Sequence, residues 1–310
     1  MNPSLSRAEA ILRTACGDRV KTGFPLAALT SFRIGGQAAL YLEPESEADL
    51  AAAGEAAMVG GIQIVVLGKG SNVLVSDEGF LGLVLRLGRG FRWAARDGER
   101  LTTGGAMPLP ALAGVALRHG LCGIEFGVAI PASVGGAIRM NAGAHGREMA
   151  DVMERVQIYR LEKGVSETIA PDAVGFAYRR TSLPVDAVVT GGVVRLAAGD
   201  PRAIRDRMDE AREWRRKTQP VAEPNCGSVF TNPPQDHAAR LIDAAGGKGV
   251  RVGGAVVSSK HANFIVAEPG ASAADVEALI RQIQALVERT SGVHLSCEVR
   301  LIGAFDDARH

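Results

Sequence analysis

Four polar groupings in this chain combine residue types that can move charge or protons. The first is Tyr178-Arg179-Arg180-Thr181-Ser182. Adjacent arginines ordinarily form a solvated face, but in a cleft one guanidinium can clamp a carboxylate through two parallel hydrogen bonds. The second is Ser228, within Asn225-Cys226-Gly227-Ser228-Val229-Phe230-Thr231-Asn232-Pro233-Pro234, a turn entering a short strand. It lacks the GxSxG pattern of a nucleophile elbow, which leaves a turn serine or a hydroxyl able to donate a proton. The third is Glu298, in the otherwise apolar stretch from Val293 to Ile302. Strand alternation puts Glu298 on one face with Ser296 and Arg300 and turns Cys297, Val299 and Leu301 to the other. Carboxylates enter cores only with partners, so that face is either solvated or functional. The fourth is His261, in Lys260-His261-Ala262-Asn263-Phe264-Ile265-Val266. A lone histidine there is more often a hydrogen-bonded structural residue than a ligand. No second His or Cys stands at ligand spacing, so no metal is expected.

Glycine-rich loops supply the other candidate chemistry. They are Phe32-Arg33-Ile34-Gly35-Gly36, Leu67-Gly68-Lys69-Gly70-Ser71-Asn72-Val73-Leu74, and Ile130-Pro131-Ala132-Ser133-Val134-Gly135-Gly136-Ala137 followed by Asn141-Ala142-Gly143. Small residues expose consecutive backbone N–H groups, and such nests bind phosphate; each loop taken alone is as readily a tight turn. The dinucleotide fingerprint fails for want of its third glycine, and P-loop spacing is absent. Three such loops before residue 150 favour an extended, phosphate-containing ligand. A branched side chain at Gly70 is expected to block that ligand's approach.

These groups need elements to hold them. Asp200-Pro201 has the N-cap and first-turn chemistry of a helix start. Ile204, Met208, Ala211 and Trp214 follow at helical spacing, so a domain boundary is placed near residue 200. A second strong helix runs from Ser272 to Thr290, with Ser272 and Asp275 at capping-box spacing and Gly292 as its stop. Residues 293–302 read as a strand. Before residue 200, strands at 62–67, 81–87 and 188–196 and helices at 46–58 and 109–119 imply an α+β or α/β domain.

Composition narrows the class of function. The 310-residue length suits two domains. A formal net charge of +1 argues against a dedicated nucleic-acid binder, while a small basic pocket for one anion stays open. With 38 glycines and only 5% aromatic residues, the chain suits close backbone approach to a ligand. No apolar run reaches membrane-spanning length, and the first twenty residues lack an apolar signal-peptide centre. The cysteines, Cys16, Cys122, Cys226 and Cys297, form no CxxC pair, which disfavours a disulfide scaffold or zinc site. A cytoplasmic protein without membrane insertion is expected. A Cys226–Cys297 redox pair is disfavoured there and by strand alternation.

In their order along the chain these segments resemble the UDP-N-acetylenolpyruvoylglucosamine reductase family, flavoenzymes of peptidoglycan precursor synthesis. The matching stretches begin at Thr30-Ser31-Phe32-Arg33-Ile34-Gly35-Gly36. They continue through the loops at 67–74 and 130–136, Gly123-Ile124-Glu125-Phe126, Asn141-Ala142-Gly143 and Tyr178-Arg179. Later come Gly227-Ser228-Val229-Phe230-Thr231-Asn232-Pro233, residues 245–254 and 259–266, and Glu298-Val299-Arg300. The resemblance implies an α+β fold: a two-part FAD-binding module of the vanillyl-alcohol-oxidase (PCMH) type over residues 1–200, and a substrate domain over 201–310. Within the module, 1–20 is an N-terminal helix and 21–90 and 91–200 are the lobes.

It further implies bound FAD, NADPH as co-substrate and UDP-N-acetylglucosamine enolpyruvate as substrate, with no nucleic-acid partner and a monomer or weak homo-oligomer. Arg179, Ser228 and Glu298 match the catalytic set. Arg33, Ile34, Gly35, Gly68, Lys69, Gly70, Ser71, Asn72, Val73, Ile130, Pro131, Ser133, Gly135, Gly136, Asn141, Ala142 and Gly143 match the cofactor site. Tyr178, Lys217, Asn232, His261 and Arg300 match the substrate site. The chain departs from the family pattern at Thr231, commonly Lys, at Cys226, commonly small, and at Pro131-Ala132-Ser133, commonly Pro-Gly-Thr. No tyrosine follows Tyr178, which suggests the shorter class without the tyrosine-bearing insertion. Another FAD oxidoreductase of the same superfamily would share the loops but need neither Ser228 nor Glu298.

Overall fold

The computed structural model describes residues 2–305. Its chain forms two compact units, Met1–Thr22, Leu40–Lys69 and Gly82–Trp214 in one, and Gly23–Ala39, Gly70–Leu81 and Arg215–His310 in the other. A single cut near residue 200 does not describe these units, and the cores explain why.

In the first unit a five-stranded antiparallel sheet runs in the order Val165–Ile169, Met153–Arg160, Ala187–Arg195, Arg100–Gly104, Ala94–Asp97. Val156, Ile158 and Val194 from its strands pack with Leu109 and Leu112 of the helix Leu109–Arg118 and Val134 and Ile138 of the helix Val134–Arg139. The helix Pro201–Thr218 starts where its Asp-Pro signal places it. Its buried face, Ile204, Met208 and Ala211, joins this same core, so the helix belongs with the sheet that precedes it.

The N-terminal part of this unit pairs the helices Pro3–Cys16 and Glu47–Gly60. A Cβ at Gly60 would come within 2.9 Å of Ala8 Cβ, which is how closely the helices cross. Arg19 locks the pair, its guanidinium donating to both oxygens of Asp49 at 2.7 Å. A four-stranded sheet has the order Lys21–Pro25, Gln37–Leu42, Phe80–Leu85, Ile64–Val66.

The second unit has its own core. Val276, Leu279, Ile280 and Ile283 form the apolar stripe of the helix Ala273–Ser291, whose Ser272/Asp275 capping box and left-handed Gly292 stop are both present. They pack with Phe32, Leu74, Phe230 and Ile242. Two early segments therefore belong here for physical reasons. Val73–Val75 pairs in parallel with Arg300–Ile302, and Asp77 accepts from Ala273 N (2.8 Å) and Ala274 N (3.0 Å) at the start of that helix. The strand expected over 293–302 is realised only at Arg300–Ile302. Upstream of it, Leu295 O is taken by the Gln284 amide at 2.9 Å and Ser296 O by Thr231 N at 3.0 Å, so no regular ladder forms.

Candidate active site

The loop at 68–72 has the property a diphosphate site needs. Among the described residues, none of its main-chain N–H groups donates to a protein acceptor, and a run of such donors is an anion nest. Burial and the neighbouring charges of Arg86 and Arg92 hold the Lys69 ammonium below its ordinary pKa, so fixed positive charge gathers at this loop. In the first unit the glycine-rich loop at 130–137 lies against Gly68: a Cβ at Gly68 would stand 2.7 Å from Ser133 Oγ. The 130–137 loop is not a nest. Val134 N donates to Met107 O and Gly135 N to Gly105 O, both at 2.8 Å, and Gly136 N reaches Ser133 Oγ at 3.3 Å. Gly70 also differs from expectation. Its φ is +64°, and a side chain there would run into the Leu29 carbonyl and Thr30. Glycine at 70 is required by the chain itself, before any ligand is considered.

The expected site residues Asn141, Ala142 and Gly143 lie beside Tyr178 and Arg179 in the first unit. Arg179 Nη2 donates to Gly143 O at 3.1 Å, and its guanidinium carbon lies 4.8 Å from the centroid of the Tyr178 ring. Arg179 has φ +58°, the left-handed region that non-glycine residues rarely adopt. The loop that carries it is fixed by Arg139, which donates to the carbonyls of Leu183, Pro184 and Ala187. The Asn141 side chain is committed within the protein, to Ala177 O (3.1 Å) and Ala150 N (3.0 Å). A cleft of about 570 Å³ opens in the same unit, lined by Gly123, Glu125, Phe126, His145, Arg207 and Trp214. Burial would raise the Glu125 carboxyl, but Arg207 and the Gly123 N–H together hold it below its usual value.

In the second unit the segments of Ser228 and Glu298 are joined. Glu298 N donates to Val229 O at 2.8 Å, and Asn72 Nδ2 donates to Glu298 O at 3.2 Å. Arg300 N returns to Asn72 O at 3.1 Å. The residue that sequence reasoning passed over is Asn263, buried and paired with Phe230 on both sides: Phe230 N to Oδ1 at 2.9 Å and Nδ2 to Phe230 O at 2.8 Å. Its signal was an asparagine leading an apolar strand, where a polar side chain must find main-chain partners. Ser228 and Glu298 are both part-buried.

The remaining candidates have local duties. Asn232 Oδ1 caps the helix Ala238–Ala244 by accepting from Ala238 N. His261 Nδ1 accepts from Asn263 N at 3.2 Å, and burial lowers its pKa. Lys217 and Arg300 are exposed, Tyr178 is 48% exposed, and Arg33 is exposed at φ +60°. Gly35 lies beside Val75 and Ile34 packs against the second unit's core, whereas Ile130 and Pro131 lead into the Ser133 cap. All the cysteines are free; burial pushes the Cys297 thiol to about 11, and burial and then Glu298 push Cys226 higher. Among the described residues no group of three or more His, Cys, Asp or Glu could hold a metal ion, and no helix is long and apolar enough to cross a membrane.

A model of the FAD binding domain matches residues 38–166. Wild-type Phl p 4.0202, a glucose dehydrogenase, shares the fold over 63% of this chain and 44% of its own, with a TM-score of 0.51 at 14% identity. The shared fold and the matched model thus define an α+β protein with an FAD binding domain. Residues 219–302 match the model described as UDP-N-acetylenolpyruvoylglucosamine reductase, C-terminal domain. UDP-N-acetylenolpyruvoylglucosamine reductase 2 of Symbiobacterium thermophilum is 44% identical over 98% of both chains. The chain belongs to the UDP-N-acetylenolpyruvoylglucosamine reductase family. The Heliobacterium modesticaldum reductase is 45% identical, covering 90% of this chain and 89% of its own. The crystal structure of the Thermus caldophilus reductase has a TM-score of 0.80 at 36% identity, over 92% of this chain and 99% of its own.

Proposed function

We propose that this protein reduces UDP-N-acetylglucosamine enolpyruvate to UDP-N-acetylmuramate, using NADPH as reductant, in cytoplasmic peptidoglycan precursor synthesis. The observation that carries the reading is the joining of the Ser228 and Glu298 segments through Val229, since the competing FAD oxidoreductases require neither side chain. FAD, when bound, supplies the two-electron carrier between NADPH and the enolpyruvyl double bond. The donors present fit its diphosphate: the N–H groups of 68–72 and the charge of Lys69 would hold it, with Ser133, Gly135 and Gly136 shaping the neighbouring wall. Arg33, Ile34, Gly35, Ile130, Pro131, Ala142 and Gly143 would border it, and Asn141 through its main chain. Flavin binding thus falls to segments before residue 200 and substrate binding mainly to 201–310, a division along the sequence rather than between compact units.

The reaction adds hydride to the terminal carbon of an enol ether and leaves an electron pair on the carbon bearing the carboxylate. Delocalised into that carboxylate, the charge is met by the Arg179 guanidinium, and Glu298 is the further hydrogen-bonding group of the proposed catalytic set. Ser228 Oγ delivers the proton to that same carboxylate-bearing carbon. Tyr178, Lys217, Asn232, His261 and Arg300 complete the set proposed for the sugar nucleotide. The test is anaerobic. NADPH should bleach the flavin bands of the purified protein, and the enolpyruvyl sugar nucleotide should restore them while yielding a product two hydrogens heavier. Bleaching that the substrate does not reverse, in a sample whose flavin air still reoxidises, would sink the reading.

A further inference from the structure

We infer that Asn141 is a positioning residue for Arg179; the inference rests on the role proposed above for that arginine. Arg179 is the third residue of the turn Ala177-Tyr178-Arg179-Arg180, closed by Ala177 N to Arg180 O at 3.0 Å and Arg180 N to Ala177 O at 3.1 Å. Of the two central residues only Arg179 has positive φ, at +58°. That place in a turn ordinarily goes to Gly or Asn. A long charged side chain stays there only when its surroundings over-determine the backbone.

The surroundings trace back to Asn141. It is fully buried and itself left-handed, at φ +42°. Its Nδ2 donates to Ala177 O at 3.1 Å, the same carbonyl that closes the turn, and its Oδ1 accepts from Ala150 N at 3.0 Å. Two residues on, Gly143 O accepts the Arg179 guanidinium at 3.1 Å. One short segment therefore grips the turn at its base and the arginine at its tip. The farther part of the loop is held separately by Arg139, through Leu183, Pro184 and Ala187. Loss of the Asn141 side chain thus removes the tie at the base of the turn and leaves the rest of the loop anchored. Backbone freedom at Arg179 would spread the guanidinium over positions where it no longer meets the developing charge.

A double-mutant cycle in the flavin-loaded enzyme separates this from a general structural role. Asn141→Asp keeps the shape and the tolerance of positive φ but loses the N–H donor and sets a carboxylate against Ala177 O. Reoxidation of the reduced flavin by the enolpyruvyl sugar nucleotide, measured per bound flavin, should slow by about tenfold to a hundredfold. In an Arg179→Ala background the same change should have almost no further effect. Asn141→Gly, which also tolerates positive φ, repeats the cycle if the Asp variant does not fold. Multiplicative losses in the double variant would overturn the inference, as would normal reoxidation by the single Asn141 variants while Arg179→Ala is slow. Normal reoxidation by Arg179→Ala would remove the arginine from the reaction, and the positioning role with it.

Discussion

Arg179 and Ser228 are read by different parts of the experiment. In the role proposed above, Ser228 acts only after hydride has reached the substrate, so Ser228→Ala should be reduced by NADPH at near the wild-type rate and then be reoxidised about a hundredfold to ten-thousandfold more slowly. Stopped-flow absorbance separates the two steps; equal slowing of both would mean that Ser228 shapes the site instead. Arg179→Lys keeps the charge but loses the planar fork. It should lower kcat more than it raises KM, and steady-state kinetics showing the reverse would make Arg179 a ground-state binder. At this scale the residue types were legible in the sequence, because hydroxyl, guanidinium and carboxylate chemistry is intrinsic to the side chain. What was not legible was commitment. Asn72 and Asn141 look like ligand contacts in a string of letters, yet their amides are used by Glu298 O and Ala177 O. Nor could the letters show that a side chain at position 70 would meet the Leu29 carbonyl.

Helices were the most legible elements, because their signals are local. The Ser272/Asp275 box and the Asp200-Pro201 start act within one turn of chain. The 293–302 stretch misled because whether an alternating run forms a strand depends on partners elsewhere, here Gln284 and Thr231. One helix depends on a distant side chain as well. Asp77→Ala removes both acceptors at the start of Ala273–Ser291 and should cost about 0.5–2 kcal/mol; an unchanged midpoint in chemical denaturation would deny the cap its role. The N-terminal helix pair has a pH signature. Hydrogen bonding to Arg19 holds the Asp49 carboxyl at about 2, against an ordinary 3.8. A carboxyl whose folded value is depressed adds stability that is complete above its unfolded value and is lost as pH falls from about 4 towards 2. Asp49→Asn should therefore melt well below the wild type at pH 7, and the gap should narrow by pH 2. A gap of constant width across that range would assign the effect to packing.

For the whole molecule, the purified protein should carry the visible bands of oxidised flavin; a colourless, folded preparation would count against the assignment of the 68–72 loop. The overall class was readable because many weak motifs in fixed order carry more information than any one of them. The composition of the units was not, since Gly23–Ala39 and Gly70–Leu81 join a core completed only by Arg215–His310. Cutting the chain at Trp214 should accordingly yield no folded C-terminal piece, lacking Phe32, Leu74 and the Asp77 cap. A cooperative melt of residues 215–305 alone would contradict this. The parallel pairing of Val73–Val75 with Arg300–Ile302 also sets a schedule at the ribosome. At about 5–20 residues per second, roughly ten to forty-five seconds separate the synthesis of the two strands. Throughout that interval Val73, Leu74 and Val75 wait as an unpaired apolar edge, which makes this short strand the place where a nascent-chain chaperone has most to protect.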